Sequence, residues 1–260
     1  MALKTALVTG GASGLGFEFA ELLAKDSFNL FLIDIDAVKL EKTKKELQKK
    51  YNCDITILAK DLSILNIANE IVEELKHTHI DVLINNAGFG LFGTFTETDW
   101  QRESAMLHLH ILTTTHLTKL LLPGMVQRGS GKILNMSSLA AFQPGPLMAI
   151  YYASKAYILS FSEAIANELK GTGVTVTVLC PGQTKTSFQE VVSEKTSENK
   201  ISFNIASPKD VAAYGYKAMN KGKVVVVPGT INKILSKIPR VIPRNTAATI
   251  VRKIQEKNRE

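Results

Sequence analysis

The sequence predicts an α/β protein: a doubly wound parallel sheet of about seven strands that forms a single domain. Short runs rich in β-branched residues alternate along the chain with longer helical stretches, the order produced by strands joined through right-handed crossovers. Runs such as 82–84 and 224–227 are apolar throughout, which is typical of strands buried on both faces. The length of 260 residues is enough for one well-buried domain and short for two.

The predicted strands and helices follow one another from the N-terminus onward. The strands are expected at Thr5–Val8, Leu30–Ile33, Ile55–Leu58, Val82–Ile84, Lys132–Met136, Val174–Leu179 and Val224–Val227. The helices are expected at Leu15–Ala24, Lys39–Lys50, Ile64–Leu75, Thr98–Gln127, Tyr151–Leu169 and Pro208–Met219, the longest being interrupted near Pro123. A polar segment, 183–206, breaks this alternation, and its length favours a lid or a binding loop.

The net charge of +7 comes almost entirely from residues 231–260, which hold eight basic and two acidic residues. A charge confined to one end, with no nucleic-acid-binding motif, argues against a nucleic-acid partner. Apolar residues lie among the basic ones, and Pro239 and Pro243 divide the segment into amphipathic pieces. We expect this basic amphipathic tail to cover a substrate pocket or to pack on a neighbouring subunit. Contact with an anionic membrane surface is the less favoured alternative.

The same composition favours a cytoplasmic protein. No apolar run reaches the roughly 18 residues of a membrane helix, and the N-terminal residues lack the pattern of a signal peptide. The two cysteines, Cys53 and Cys180, are expected to be reduced. Neither has a histidine or cysteine at ligand spacing, so no metal site is expected.

A glycine-rich segment, TGGASGLG at residues 9–16, lies between the first predicted strand and the first predicted helix. Glycines there allow a sharp turn and a close approach of the backbone to a pyrophosphate, to which the helix N-terminus presents free N–H groups. A glycine cluster alone is a weak signal, but its place in an alternating pattern makes it much stronger. The candidate phosphate-binding residues are Gly10, Ser13, Gly14, Leu15 and Gly16.

Two further motifs follow in order, NNAG at residues 85–88 and YYASK at residues 151–155. Together with the glycine segment they resemble the short-chain dehydrogenase/reductase family, in its branch of about 250 residues, from Leu3 to about Gly229. The resemblance implies a Rossmann-type fold and an NAD(P)-dependent oxidoreductase that moves a hydride to or from a carbon bearing a carbonyl or hydroxyl. The dinucleotide-binding catalytic part is expected at residues 1–230, including the loop 183–206, with the tail 231–260 in the same domain.

Asp34 ends the second predicted strand, 18 residues after Gly16. A carboxylate there can accept hydrogen bonds from the ribose hydroxyls of adenosine and would repel the 2′-phosphate of NADP. The next residue is Ile35 rather than a basic residue, so NAD is favoured over NADP. In the alternative, Asp34 caps the following helix, although Asp36 could do this instead.

The resemblance implies several other cofactor contacts. Asp61 and Leu62 would flank the adenine, and Asn86, Ala87 and Gly88 would line the ribose and nicotinamide. Pro181, Gly182 and either Thr184 or Thr186, after the sixth strand, would contact the nicotinamide end. Pro-Gly after a strand is also a common turn, and Asp61 could cap a helix instead.

Tyr151 and Lys155 are the candidate catalytic pair. Hydride transfer to a carbonyl leaves an alkoxide that must be protonated, which requires a positioned side chain. The two residues are four apart on a predicted helix and share a face, and an ammonium group nearby is expected to lower the pKa of the phenol. By resemblance Ser138 would bind the reacting oxygen, and Lys155 would also hold the nicotinamide ribose. Tyr152 and Ser137 are the rival phenol and hydroxyl.

His110 departs from the family pattern. Members usually carry an asparagine on the helix before the fifth strand, thought to support a water chain to the lysine, and aligning residues 106–111 places His110 there. Histidine can donate, accept and titrate near neutrality, so the relay could persist, with an acid limb in the pH profile. In the alternative, His110 is a buried polar residue without a catalytic part.

The substrate is not determined by the sequence. The pocket is expected to include Phe89, Leu91, Phe92, 143–146 and the loop 183–206, a mostly apolar set that suggests a hydrophobic carbonyl or alcohol. Family members commonly form dimers or tetramers, so a homodimer or homotetramer is expected. An NAD(H)-binding sensor or scaffold without significant turnover remains the alternative function.

Overall fold

The computed structural model describes residues 4–76, 78–185 and 206–257. Its parallel sheet consists of β1 (Thr5–Thr9), β2 (Asn29–Asp34), β3 (Ile55–Ala59), β4 (Val82–Asn85), β5 (Gly131–Met136), β6 (Val174–Leu179) and β7 (Val225–Val226). The helices are α1 (Gly14–Lys25), α2 (Ala37–Lys50), α3 (Ile67–Glu74), α4 (Trp100–Leu107), α5 (Thr114–Gln127), α6 (Ala149–Glu168), α7 (Pro208–Asn220), α8 (Thr230–Leu235) and α9 (Arg244–Lys257).

The strand order β3-β2-β1-β4-β5-β6-β7 makes β1 and β4 neighbours at the centre of the sheet. Consecutive residues of β1 enter opposite cores: Ala6 and Val8 pack with α1, α2 and α7, whereas Leu7 packs with α3 and α5. Helices therefore cover both faces, and the predicted doubly wound α/β sheet in a single domain is confirmed. The order reverses direction between β1 and β4, where open α/β sheets form their ligand crevice.

Two predicted elements differ from the structure. Residues 224–227 were expected to be buried on both faces, but β7 is the edge strand and Val224 and Val225 are 36% and 38% exposed. The third helix begins at Ile67 rather than Ile64, because Asn66 has a left-handed φ of +64° that precedes the helical turn. Apolar composition alone does not distinguish an edge strand or a turn from a buried element.

The long helical stretch is interrupted at a place other than the predicted one. Its irregular segment is a π-helix at His108–Thr113, whereas Pro123 lies inside α5. A π-helix inserts an extra residue into a turn and is frequent at functional sites. Here the π-helix places His110 in the interior. The helical stretch is therefore interrupted at a buried hydrogen-bonding side chain and not at the proline.

Candidate active site

The predicted site residues follow neighbouring strands at the carboxyl edge of the sheet. The glycine segment follows β1, and Asn86 follows β4 beside it. Ser138 follows β5, and Pro181 follows β6. Because carboxyl ends of parallel strands meet at one edge, four segments far apart in sequence converge there.

The glycine segment forms a tight cradle with α1. Gly10 has a left-handed φ of +66°, and a Cβ at Gly16 would overlap the carbonyl oxygen of Gly10. The side-chain amide of Asn86 donates to the carbonyls of Thr9 and Gly10 at 3.0 and 3.2 Å, which ties the β4 segment to this turn. The Thr9 hydroxyl accepts from the Asn86 and Ala87 backbone N–H groups at 3.0 and 3.1 Å.

This cradle fits the pyrophosphate of a dinucleotide. Helix α1 starts at Gly14, and its N-cap residue Ser13 makes no side-chain capping bond to the first turn. The first-turn N–H groups therefore have no partner in the Ser13 side chain, and they carry the partial positive charge of the helix N-terminus. A side chain at Gly16 would fill the place where the turn and the helix meet.

Asp34 holds the turn itself. Its carboxylate accepts from the Ala12 backbone N–H at 3.1 Å and from the Asp36 N–H at 3.2 Å. The N-cap of α2 is Asp36, whose side chain accepts from Lys39 N at 2.9 Å. Asp36 therefore caps α2, and the alternative in which Asp34 caps this helix is wrong. Asp34 lies against the glycine segment at the end of β2.

The remaining predicted cofactor residues are placed around the same edge. Asp61 accepts from both the backbone N–H and the hydroxyl of Ser63, at 2.9 and 2.7 Å. Leu62 is buried, and its carbonyl accepts from Thr113 at 2.8 Å.

On the β6 side the hydroxyl of Thr184 donates to the Gly182 carbonyl at 3.2 Å. Pro181 accepts from Leu139 N at 2.8 Å. Thr186 and most of the loop 183–206 lie outside the described residues.

Tyr151 and Ser138 share a side-chain hydrogen bond. Burial raises the pKa of Tyr151 to about 12, an effect that the bond to Ser138 opposes. Ser138 also caps the short 3₁₀ helix Leu139–Phe142 by accepting from Ala140 N at 3.1 Å, which fixes its hydroxyl. Burial therefore outweighs any lowering of the phenol pKa by Lys155, the net shift is opposite to the expected one, and the phenol is protonated at neutral pH.

Lys155 is buried one turn further along α6. Its ammonium donates to the Met136 carbonyl at 3.0 Å and lies 5.7 Å from the centroid of the Tyr151 ring. Burial lowers the pKa of Lys155 to about 8. At neutral pH it is a cation held close to the phenol, where it stabilises negative charge that develops on the phenol oxygen.

Both rival residues have other partners. Ser137 is buried, and its hydroxyl donates to the Lys155 backbone carbonyl at 2.8 Å, away from the Tyr151 hydroxyl. The Tyr152 hydroxyl accepts from the Gln255 amide of α9 at 2.9 Å. Tyr151 and Ser138 are thus the phenol and hydroxyl that the structure brings together.

His110 uses both of its ring nitrogens within the protein. Nε2 accepts from the Phe89 backbone N–H at 3.2 Å, and Nδ1 lies 2.8 Å from Ser154 Oγ. The Ser154 hydroxyl donates to the Tyr151 carbonyl at 2.8 Å, so Nδ1 carries the proton and donates to Ser154. Burial, together with the charge of Lys155, lowers the pKa of His110 well below its usual value. The expected titration near neutrality is wrong, and neither ring nitrogen is left over for a water chain.

A cleft opens beside Tyr151, between the segment after β4 and the start of α6. Its lining is mostly apolar and includes Leu91, Phe95, Met106, Leu147 and Met148. Glu103 is a buried carboxylate at its edge, where it accepts from the Thr98 hydroxyl at 2.7 Å. Tyr151 is part of the lining of this cleft, which is narrow and has room for about one water molecule.

Comparisons with known proteins place this chain. The model of the short chain dehydrogenase family matches residues 4–227. The chain belongs to the short chain dehydrogenase family. The very-long-chain 3-oxoacyl-CoA reductase of Rattus norvegicus is 31% identical over 88% of this chain and 75% of that protein. The ketoacyl reductase HetN of Nostoc sp. is 34% identical over 90% of this chain and 82% of that protein.

A solved structure supports the same fold. The short-chain dehydrogenase from Sphingobium yanoikuyae in complex with NADPH superposes with a TM-score of 0.80, covering 95% of this chain and 99% of that chain at 24% identity. As a member of the short chain dehydrogenase family, the protein is an NAD(P)-dependent oxidoreductase.

Sequence reasoning missed four residues that build this site. Thr9 links β1 to β4, and Ser154 links His110 to the backbone of Tyr151. Asn232 of α8 packs against Gly182, and Gln255 of α9 binds Tyr152. Thr9 could have been found from its place between the strand and the glycines. The other three act across 44 or more residues, and no local pattern marks them.

Proposed function

We propose that the protein reduces the carbonyl group of a hydrophobic substrate, with Tyr151 as the proton donor. The observation that carries this proposal is the phenol of Tyr151, which is bonded to Ser138 at the apolar cleft and has a pKa raised to about 12. A phenol that keeps its proton at neutral pH is suited to protonate the oxygen formed on reduction.

Each of the three side chains has a separate part in this reaction. NADH, when bound, supplies the hydride to the carbonyl carbon. Ser138 donates a hydrogen bond that orients the carbonyl oxygen, and Tyr151 transfers its proton to that oxygen. The Lys155 ammonium, 5.7 Å from the phenol ring, stabilises the phenolate that remains. His110 positions Tyr151 by holding Ser154, which binds the Tyr151 carbonyl.

We propose that the cofactor is NAD(H) rather than NADP(H). Asp34 places a carboxylate at the end of β2, where it would repel a 2′-phosphate. The neighbouring lysines are already paired: Lys39 with Asp36 at 3.0 Å, and Lys60 with Glu74 at 2.6 Å. In this proposal residues 10–16, 61–62, 86–88, 181–182 and 184 complete the cofactor site.

The substrate class proposed is a 3-oxoacyl thioester or another ketone with a long apolar group. The names of the two curated relatives, a very-long-chain 3-oxoacyl-CoA reductase and a ketoacyl reductase, support this class, and the side chains beside Tyr151 are mostly apolar. The test is to follow oxidation of NADH and NADPH with 3-oxoacyl thioesters, steroid ketones and short polar ketones. We expect turnover to rise with acyl chain length and NADH to be preferred.

Two results would count against this proposal. A wild-type protein that prefers NADPH would contradict the role proposed for Asp34. If that role is right, replacing Asp34 by Ala and Ile35 by Arg should shift the cofactor preference toward NADPH. Tight NADH binding without turnover on any carbonyl would favour the sensor alternative over an enzyme.

We propose a cytoplasmic homodimer as the working form. Ile64, Leu65, Leu112 and Tyr157 are exposed around one groove beside α5 and α6, and Tyr157 stacks on Phe161 at 5.9 Å between ring centroids. A second copy would bury this apolar groove. Leu112→Asp should convert the dimer to a monomer in sedimentation, and an unchanged mass would exclude this interface.

The proposal of a cytoplasmic location is supported by the cysteines. Both are free and buried, as suits a reducing compartment.

A further inference from the structure

The tail surface is the outward side of residues 230–257, the part of the chain that follows β7. Five of the eleven residues from 231 to 241 are large apolar side chains that stand exposed. They are Ile231, Ile234, Leu235, Ile238 and Val241, of which Val241 is 83% exposed. Single exposed apolar residues are ordinary, but a concentration of this kind in one segment marks an interaction site.

The charge of the same surface is mostly positive, and its one carboxylate, Glu256, is paired with Arg252 at 2.8 Å. From 231 to 255 the sequence holds six basic residues and no acidic ones. All six are exposed: Lys233, Lys237, Arg240, Arg244, Arg252 and Lys253. On α9 the exposed Ile250 and Ile254 are followed three positions later by Lys253 and Lys257, so lysines flank an apolar stripe.

The inward side of this segment is firmly attached, so its outward face is part of the folded structure. Asn232 donates to the Pro228 carbonyl at 2.8 Å and packs on Gly182. Gln255 donates to Tyr152, and Ala247 and Val251 of α9 are buried. The inward residues of this segment thus contact Gly182 and Tyr152, beside the candidate site. Its outward apolar residues, by contrast, contact nothing that would bury them among the described residues.

We propose that the tail surface binds the headgroup region of an anionic phospholipid bilayer. Exposed isoleucines, leucine and valine can enter the boundary of the acyl chains while lysine and arginine reach the phosphates. Anionic lipid is the complementary partner for a surface on which seven exposed basic residues outweigh the one exposed carboxylate, Glu256. A second copy of this chain is a poorer partner, because a two-fold contact would set this basic face against itself. Seated in this way, the segment that touches Gly182 and Tyr152 lies at the membrane.

The test is co-sedimentation of the full chain with vesicles, with NADH present. Vesicles that contain phosphatidylglycerol are compared with vesicles of phosphatidylcholine alone. Wild type should bind the anionic vesicles and lose binding as salt is raised. Val241→Ser should weaken binding roughly tenfold, the value of one buried valine. Its matched control is Val38→Ser on α2, where the valine is 81% exposed, and this variant should bind as wild type does.

The charge arm uses two triple variants with the same loss of net charge. Replacing Lys237, Arg240 and Arg244 by Gln should weaken binding roughly a hundredfold. Replacing Lys42, Lys45 and Lys49 of α2 by Gln should leave it within about twofold of wild type. Thermal unfolding and an NADH titration on every variant show that the fold is retained, so a loss of vesicle binding can be assigned to the surface.

Three results would overturn the proposal. One is a wild type that binds neither kind of vesicle. Another is a pair of triple variants that lose binding equally, which would mean that net charge rather than this surface is responsible. The third is a change in sedimentation mass for Val241→Ser with no change in vesicle binding, which would assign the surface to contact between copies.

Discussion

The two halves of the sheet hold their parts of the site in different ways. After β1 and β2 the shape of the site depends on glycines, which have no side chain. Gly10 has a φ of +66°, and α1 approaches the Gly10 carbonyl closely at Gly16. After β4 and β5 it depends on buried polar groups, His110, Lys155 and Ser137. An added atom is costly in the first half, whereas burial of polar groups is itself a cost in the second. We therefore expect substitutions to damage folding and binding together in the first half, whereas in the second half removing the buried charge of Lys155 should lower activity without lowering stability.

The largest effect is expected from Gly16→Ala. The new Cβ would overlap the Gly10 carbonyl, which must shift, so the free energy of unfolding should fall by about 3 kcal/mol and NADH binding should be lost. Urea unfolding and NADH fluorescence titration measure the two effects. The control is Gly171→Ala, where φ is +83° but no atom lies within 4 Å of the new Cβ. It should cost about 1 kcal/mol and leave NADH affinity unchanged. Normal NADH binding by Gly16→Ala would contradict the cradle.

Lys155→Met should separate activity from stability. Burial lowers the pKa of Lys155 to about 8, so folding is penalised by the buried charge below that pH. Removing the charge should raise the free energy of unfolding by on the order of 2 kcal/mol at neutral pH while turnover falls about a hundredfold. The stability difference from wild type should shrink between pH 8 and pH 10.5, as the wild-type lysine loses its proton in the folded state. A destabilised Lys155→Met would show that the Met136 bond outweighs the burial cost.

The same pKa predicts how wild-type activity depends on pH. Reductive turnover should fall as pH rises through about 8, because the Lys155 cation that stabilises the phenolate is lost. The turnover of Lys155→Met should lack this fall. A wild-type profile that is flat from pH 7 to well above 8 would show that the charge of Lys155 does not matter for the chemical step.

A smaller effect on turnover is expected at His110. His110→Ala removes two buried hydrogen bonds and leaves a cavity, so the free energy of unfolding should fall by about 3 kcal/mol and turnover by about tenfold. His110→Asn should recover part of both. Because the pKa of His110 lies well below its usual value, the turnover–pH profiles of the three proteins should have the same shape above pH 6. An acid limb near pH 6.5 in wild type that vanishes in His110→Asn would restore the relay expected from the sequence.

The sequence predicted the fold and those parts of the site that local motifs define. Strand–helix alternation gave the sheet, and the glycine segment gave the turn between β1 and α1, because in both cases the information lies within a few neighbouring residues. Tyr151 and Lys155 share a helix face, so their proximity also followed from spacing.

What the sequence could not predict depends on contacts between distant segments. Burial reverses the expected direction of the Tyr151 pKa and removes His110 from the titration range, and neither burial is visible in local spacing. The bond between Gln255 and Tyr152 spans 103 residues. Local spacing also does not show that α8 and α9 turn only their inward side to the site and leave Val241 and its neighbours exposed.

The most direct test of Tyr151 as proton donor is the turnover of Tyr151→Phe beside Tyr152→Phe, with NADH affinity measured on both. The two phenols are adjacent, with ring centroids 6.1 Å apart, but only Tyr151 bonds to Ser138. We expect Tyr151→Phe to lose at least about a hundredfold in turnover and to keep its NADH affinity, while Tyr152→Phe stays within about tenfold of wild type. Substantial turnover in Tyr151→Phe, or a greater loss in Tyr152→Phe, would contradict the assignment.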